Sequence, residues 1–280
     1  MRCCIINQDH HDPDVTINLI LFYESCGFEV TLSTRPQPAD LIVVQRAYPK
    51  YIDPAAAIDA KAVHVYDYSK MENLQYVRAL PGVQRYQLVT LEDATDAPGA
   101  ELVHGNHPVI AQLWAPDGPL PPVRYPSVHI GNRKATAATD PLQAPFERYA
   151  ARATDCHFFG GDWQQVAPMG RRAHGHITLH ETQAIYRSSG CGFGIMYAYQ
   201  RGRTLSGRMW QGPLNGCPIY TEAKPPNLDL PGVLCTVDYS EMLDTPRVMA
   251  PAQRHALVAS ARLFWEQDAV RLASTLGMQF

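Results

Sequence analysis

The chain has 280 residues, 46% hydrophobic and 18% charged, with a formal net charge of −3. These values fit a soluble globular protein of two small domains or one large one, with core enough to fold without a staple. They exclude a bulk electrostatic pull toward nucleic acid or membrane, and no apolar run approaches the roughly 18 residues of a membrane span.

The N-terminus lacks the pattern of a signal peptide, so a cytoplasmic protein is expected. Seven cysteines (Cys3, Cys4, Cys26, Cys156, Cys191, Cys217 and Cys235) form no C-x-x-C pair, and they read as reduced thiols in apolar surroundings. The charge is uneven. Residues 1–116 hold 14 acids against 8 bases, and residues 117–280 hold 13 acids against 16 bases. The second half is therefore the one suited to an anion.

In chain order, Arg2–Asn7 reads as a strand, Gln8–Asp14 as a polar loop, and Val15–Cys26 as a helix stopped at Gly27. Phe28–Leu32, Leu41–Gln45 and Ala62–Tyr66 are further short runs rich in Val and Ile. Met71–Leu80 fits a helix, and Gln84–Leu91 and Glu101–His104 continue the strands. This alternation implies a parallel sheet with crossover helices. Four prolines within Ala115–Pro122 cannot continue a helix or a central strand, and the segment is read as the linker.

A second cycle follows, with strands at Val123–Ile130, Asp155–Phe159, Gly192–Met196 and Cys217–Thr221. Helices are expected at Pro141–Arg152, His180–Ser189 and the later part of Arg203–Leu214. Pro251–Leu276 is a long terminal helical stretch, with room for one break. The expected architecture is α/β, two Rossmann-like domains with an interdomain cleft. Their spans are 1–116 and 117–250, and helix 251–280 returns to the first domain.

Three stretches carry chemistry. In Val128–Lys134 an apolar strand runs into Gly131, which lets a ligand approach the backbone. Next come Asn132, Arg133 and Lys134, which suit phosphate oxygens. Cys156–Trp163 is a buried strand that delivers Gly160-Gly161, then Asp162 and Trp163. The diglycine marks tight backbone approach, but it is not a dinucleotide fingerprint. In Arg203–Glu222, Ser206 is expected to cap a helix whose first turn carries Arg208, an anion site at a helix start. Gln211 lies three residues on, along the same face, in reach of a ribose hydroxyl.

Together these stretches resemble the donor domain of two-domain GT-B glycosyltransferases. The spore-maturation-type group is similar. So are the phage DNA beta-glucosyltransferases, which open with an Ile-Ile-Asn strand, end a strand in Phe-Phe-Gly, and carry Arg-Val-Trp-Glu where this chain has Arg208-Met-Trp-Gln211. The resemblance implies that Asn132, Lys134 and Arg208 hold a donor diphosphate. It also implies that Gln211 stands where the family's glutamate binds the ribose. Asp67, at the end of the Val63–Tyr66 run, would be the general base of an inverting transfer, or else a helix N-cap or turn residue. Asp14 is a second acid near the same place, or a helix N-cap.

The implied donor is a UDP-sugar, UDP-glucose first. A divalent metal is compatible with the sequence and not required by it. His174, His176 and His180 do not have the spacing of a zinc site and read as a loop beside the donor. The favoured acceptor is a hydroxymethylated pyrimidine in phage-type DNA. Arg46, Lys50, Lys70, Arg78 and Arg85 offer a basic stripe for it, and Tyr48, Tyr51 and Tyr68 offer stacking. The alternatives are the same transfer to a small molecule, glycan or protein, and a nucleotide-sugar-binding module without catalysis.

Overall fold

The computed structural model describes residues 1–7, 13–45, 60–66, 85–91, 101–133, 143–165, 172–195, 205–222, 228–235 and 248–280. Asp67, Lys134, the helix expected over residues 71–80 and most of the basic and tyrosine stripe fall outside them. The chain forms two compact units. One combines Met1–Ile110 with Trp265–Phe280, and the other comprises Ala111–Arg201 and Leu205–Phe264.

The first unit is built on a parallel sheet of β1 (Arg2–Ile6), β2 (Glu29–Ser33), β3 (Leu41–Val44), β4 (Ala62–Tyr66), β5 (Arg85–Thr90) and β6 (Glu101–His104). The spatial order is β2-β1-β3-β4-β5-β6. Four residues of β1, all of β3 and four of β4 are buried, as strands covered on both faces must be. β2 lies at an edge and stays largely exposed. Helix α1 (Pro13–Ser25) starts on proline, whose fixed φ suits the first helical position. It stops at Gly27, φ +82°. There the Phe28 N–H donates back to the Tyr23 carbonyl at 3.1 Å, and the two rings meet edge-on, a Schellman ending with its hydrophobic contact. Leu19, Phe22 and Tyr23 of α1 pack with Cys3, Ile5, Leu41 and Val43. The Tyr23 hydroxyl also bonds His64 Nδ1 (2.8 Å) and the Tyr66 hydroxyl (2.9 Å). This buried polar cluster fixes β4 in register on α1.

The second unit carries β7 (Tyr125–Ile130), β8 (Cys156–Phe159), β9 (Ser189–Phe193), β10 (Ile219–Thr221) and β11 (Val233–Cys235), all parallel, in the order β11-β10-β9-β7-β8. With them belong α2 (Ala111–Trp114), α3 (Gln143–Arg152), α4 (Leu179–Arg187), α5 (Arg208–Leu214) and the part of α6 (Pro251–Thr275) up to Phe264, the rest of α6 belonging to the first unit. α4 begins with a reciprocal capping box between Thr178 and Glu181. β9 forms three residues earlier than expected because α4 ends at Arg187 and Tyr125 pairs with Ser189. α6 is continuous for 25 residues.

The proline-rich segment is pinned to this unit by arginines. Arg187 donates to the carbonyls of Pro116, Gly118 and Pro119. Arg254, 3% exposed, donates to the carbonyls of Pro121, Gly216 and Arg187. Three loop and helix ends thus converge on one guanidinium. Arg254→Met keeps the stem and removes every donor, so it should destabilise the protein by about 2–4 kcal/mol. Arg254→Lys should recover part of that loss. Urea unfolding midpoints measure both. A midpoint unchanged in the methionine variant would mean that water takes over the three carbonyls.

Among the described residues no helix is long and apolar enough to cross a membrane. All seven cysteines are free, six of them buried and Cys235 exposed. Burial pushes the Cys26 thiol up to about 11 and the Cys191 thiol up to about 12, so neither is a thiolate near neutral pH.

Candidate functional site

In each sheet the chain winds one way from its first strand and then the other. β1 lies between β2 and β3, and β7 between β8 and β9. At such a switch point the flanking connections diverge and leave a crevice at the carboxyl ends of the strands, where open α/β sheets hold ligands.

In the second unit that edge is formed by Ile130-Gly131-Asn132 after β7, Phe193-Gly194-Ile195 after β9, and Gly160-Gly161 after β8. Arg208 reaches across it from α5. Its Nε donates to the Ile130 carbonyl, and its Nη1 donates to the Ile195 carbonyl at 3.0 Å. The guanidinium therefore straddles the ends of β7 and β9. Nη2 lies over Gly131, where a Cβ would run into it. Arg208 has no carboxylate partner among the described residues, and Nη2 makes no hydrogen bond there. A half-buried cation whose Nη2 makes no hydrogen bond among the described residues, above side-chain-free backbone, suits an anion's oxygens.

The helix start contributes differently from expectation. Ser206 does not cap α5. Gly207 occupies the cap position in helical conformation without a side-chain bond, and the Ser206 hydroxyl instead lies 3.4 Å from Arg208 Nη1. α5 is only seven residues long, so the charge at this site is the arginine's own. α5 sits close on the sheet because Gly212 and Gly192 leave room for Ile219.

The glycine turns are cross-braced. Asn132 Oδ1 accepts from the Gly161 N–H at 2.7 Å, and Trp163 Nε1 donates to the Gly131 carbonyl at 2.6 Å. The Arg133 N–H donates to the Gly161 carbonyl at 3.0 Å. Gly160 has φ +133° and presses on the Gly131 backbone, so no Cβ fits there. Asp162 turns the chain at φ +68°, a conformation that aspartate tolerates better than most residues; its carboxylate accepts from Gln165 at 3.0 Å. Trp163 is wholly buried among Phe146, Phe158 and Phe193. Asn132 thus spends its oxygen on the turn and keeps its amide N–H groups on an exposed side chain.

The Arg133 guanidinium is paired with Glu147 of α3 at 2.8 Å, and both side chains are mostly buried. Gln211 lies one turn beyond Arg208 and is nearly buried. His176 rests against Gly161, and no group of three or more metal-ligating side chains occurs among the described residues.

One neighbour carries no sequence signal beyond a histidine in an apolar strand. His129 is buried between Phe146 and Trp163. Burial, and then the Arg208 charge, hold its ring well below the ordinary imidazole range, outweighing the opposing bond to Phe193. The neutral ring donates from Nδ1 to the Phe193 carbonyl at 3.1 Å. His129 therefore adds no positive charge beside Arg208.

In the first unit a hydrogen-bonded chain crosses the switch point. Asn7 Nδ2 donates to Thr16 Oγ1 (2.7 Å), and Thr16 donates to Gln45 Oε1 (2.8 Å). Asp14 lies within the first turn of α1, and its carbonyl accepts from Asn18 at 2.9 Å. Asp67 directly follows the carboxyl end of β4 in sequence.

Two doubly wound parallel sheets in successive units are the fold of the two-domain GT-B glycosyltransferases. The solved structures similar to this chain carry that fold. The T4 phage beta-glucosyltransferase with its UDP-glucose substrate aligns with a TM-score of 0.62 at 9% identity, covering 98% of this chain and 99% of that one. A structure of the DNA-modifying enzyme beta-glucosyltransferase gives 0.58 at 11%, covering 98% and 97%. An alpha-glucosyltransferase bound to UDP and a 13-mer DNA gives 0.55 at 13%, covering 100% and 96%. No protein-family model matches the sequence, and no curated protein matches it. The resemblance read from the motifs is thus borne out in the fold.

Proposed function

We propose that the chain is a glycosyltransferase that takes a sugar from a UDP-sugar, UDP-glucose first, and moves it to a hydroxyl acceptor, with a hydroxymethylated pyrimidine in phage-type DNA as the favoured acceptor. The observation that carries this reading is the Arg208 guanidinium, spread over the β7/β9 switch point with Nη2 above Gly131 and making no hydrogen bond among the described residues. The similar structures hold UDP-glucose, or UDP with DNA, in the same fold.

The reaction is a single displacement with inversion. Asp67 removes the acceptor proton. The acceptor oxygen bonds to the anomeric carbon as the bond to the diphosphate breaks, and UDP departs with the electron pair. Arg208, the Asn132 amide and Lys134 stabilise the charge that develops on the diphosphate. Gln211 meets the ribose as a neutral amide. Arg133, committed to Glu147, acts as a brace. Asp14 lies near the acceptor as the second acid.

Incubation with UDP-glucose and hydroxymethylated duplex DNA should release UDP and label the DNA. Unmodified DNA should stay unlabelled because it offers no hydroxyl. The acid excess of residues 1–116 favours a second reading, transfer to a small molecule, glycan or protein. Release of UDP only with such acceptors would establish it. Tight UDP-glucose binding without release by any acceptor would leave a binding module.

Gly131→Ala gives a sharper test of the donor site. Its methyl group displaces the Arg208 guanidinium, so UDP affinity should fall by about 1.5–3 kcal/mol, the scale of a charge-assisted hydrogen bond. The double variant with Arg208→Ala should then lose little more, since the two changes remove one interaction. Additive losses in calorimetry would separate Gly131 from Arg208.

A further inference from the structure

Outside the anion site, two histidines face each other at the edge of the second sheet, one on β8 and one on the segment beside it. His157 Nδ1 lies 2.9 Å from His174 Nε2. The rings lie edge to edge, their planes 21° apart and their centroids 5.2 Å apart, with Phe159 stacked on His174 at 4.5 Å and Tyr125 edge-on to His157 at 5.0 Å. His174 belongs to the segment Arg172–Gly175, which pairs with the edge of β8 and its extension. The His174 N–H donates to the Phe158 carbonyl (2.8 Å), and the Gly160 N–H donates to the Gly175 carbonyl (2.6 Å). Gly160 and Gly161 are the turn that braces Gly131 and Asn132. The histidine pair therefore fastens a short segment whose far end holds that turn.

We propose that His157 and His174 form a proton-operated latch, which keeps Arg172–Gly175 on the edge of β8 and so holds the diglycine turn in the shape that receives the donor diphosphate. The last clause rests on the donor reading; the latch itself does not.

The chemistry follows from the shared hydrogen bond. One ring nitrogen donates and the other accepts, which works when both rings are neutral and also when one proton is added. A second proton turns both nitrogens into donors, and the contact becomes repulsive. Arg124, stacked over Tyr125, and Arg172 face the pair, with Asp155 as the opposing charge. Burial, then His174, then Arg172 hold His157 below the ordinary imidazole range against the pull of Asp155. Burial and then Arg124 do the same for His174. The closed pair thus binds fewer protons than the open one. Its stability is complete above the ordinary imidazole pKa of about 6.5 and is lost as pH falls below it.

Hydrogen exchange of the Gly160 and His174 amides, corrected for intrinsic rates, tests this between pH 8 and 5. Protection should fall about tenfold per pH unit below about 6.5 for one linked proton. In His157→Phe/His174→Phe the aromatic packing against Tyr125 and Phe159 is kept and neither position titrates, so protection should stay flat. His157→Gln, whose amide can donate or accept, should also flatten the profile, and it serves if the double variant fails to fold. Flat protection in the wild type, or an unchanged acid loss in the variants, would overturn the latch.

UDP affinity, measured at pH 8 and 5.5, should follow protection in the wild type. UDP held equally tightly with the latch open would overturn its hold on the turn. UDP bound at neither pH would end the donor reading, while the exchange profile still decides the latch.

Discussion

Alanine at position 208 should weaken UDP binding by about 1.5–3 kcal/mol, roughly 10- to 150-fold. The expected loss is that large because the guanidinium combines charge with directed N–H groups in a partly desolvated place. Removing Nε and Nη1 also leaves the Ile130 and Ile195 carbonyls without those donors, a cost that urea unfolding of the same variant measures separately. Arg208→Lys restores the charge without the fork and should recover only part of the affinity. Calorimetry with UDP reads both variants. An unchanged Kd in a folded Arg208→Ala protein would remove the arginine from the site.

Asp67→Asn should lower turnover by about 10²–10⁴-fold, the range for a general base, and leave UDP affinity nearly unchanged. The argument is one of position and chemistry. β4 is a parallel strand whose carboxyl end is Tyr66, and residues just past that end of an open α/β sheet are the ones that meet ligands. Asparagine keeps the size and much of the hydrogen bonding of aspartate and removes only its basicity. Tyr66 is locked through Tyr23 and His64, so the strand that delivers position 67 should tolerate the change. Steady-state kinetics with the labelled acceptor would separate the outcomes. Full activity would move the base elsewhere, with Asp14 next in line. A joint fall in thermal stability and UDP binding would make Asp67 a structural turn residue.

The sequence displayed most of the first sheet because its strands are buried on both faces. Runs such as Leu41–Val44 and Ala62–Tyr66 have little other use for so many branched side chains. Gly27 was legible for the same kind of reason, since the helix needs a left-handed residue there. β9 was legible only in part. Ser189-Gly-Cys-Gly-Phe193 has no β-branched residue, and its position is fixed by Tyr125 across the sheet. β11 is three residues long and has no periodicity to read. At the site, the glycines and Arg208 announced themselves through residue type. The partners of Arg208 are main-chain carbonyls 13 and 78 residues away, which no side-chain pattern encodes. The Arg133–Glu147 pair joins residues 14 apart, the second in the middle of α3, a spacing that no local pattern marks. The Thr178–Glu181 capping box did have a sequence signature, T-x-x-E, and it sets the start of α4 one residue before the expected His180.

α6 imposes an order on biosynthesis. Its residues Ala269, Leu272 and Ala273, with Leu276 just beyond, pack into the core of the first unit beside Cys3, Ile5 and Leu19, and the Phe280 ring meets Phe22 at 5.6 Å. These residues leave the ribosome only after the whole second unit has been made. The nascent first unit must wait with an unfilled seam along α1, at roughly 5–20 residues per second of elongation. A protein cut back at residue 264 would carry that seam permanently, so chaperone dependence should concentrate in its first 110 residues.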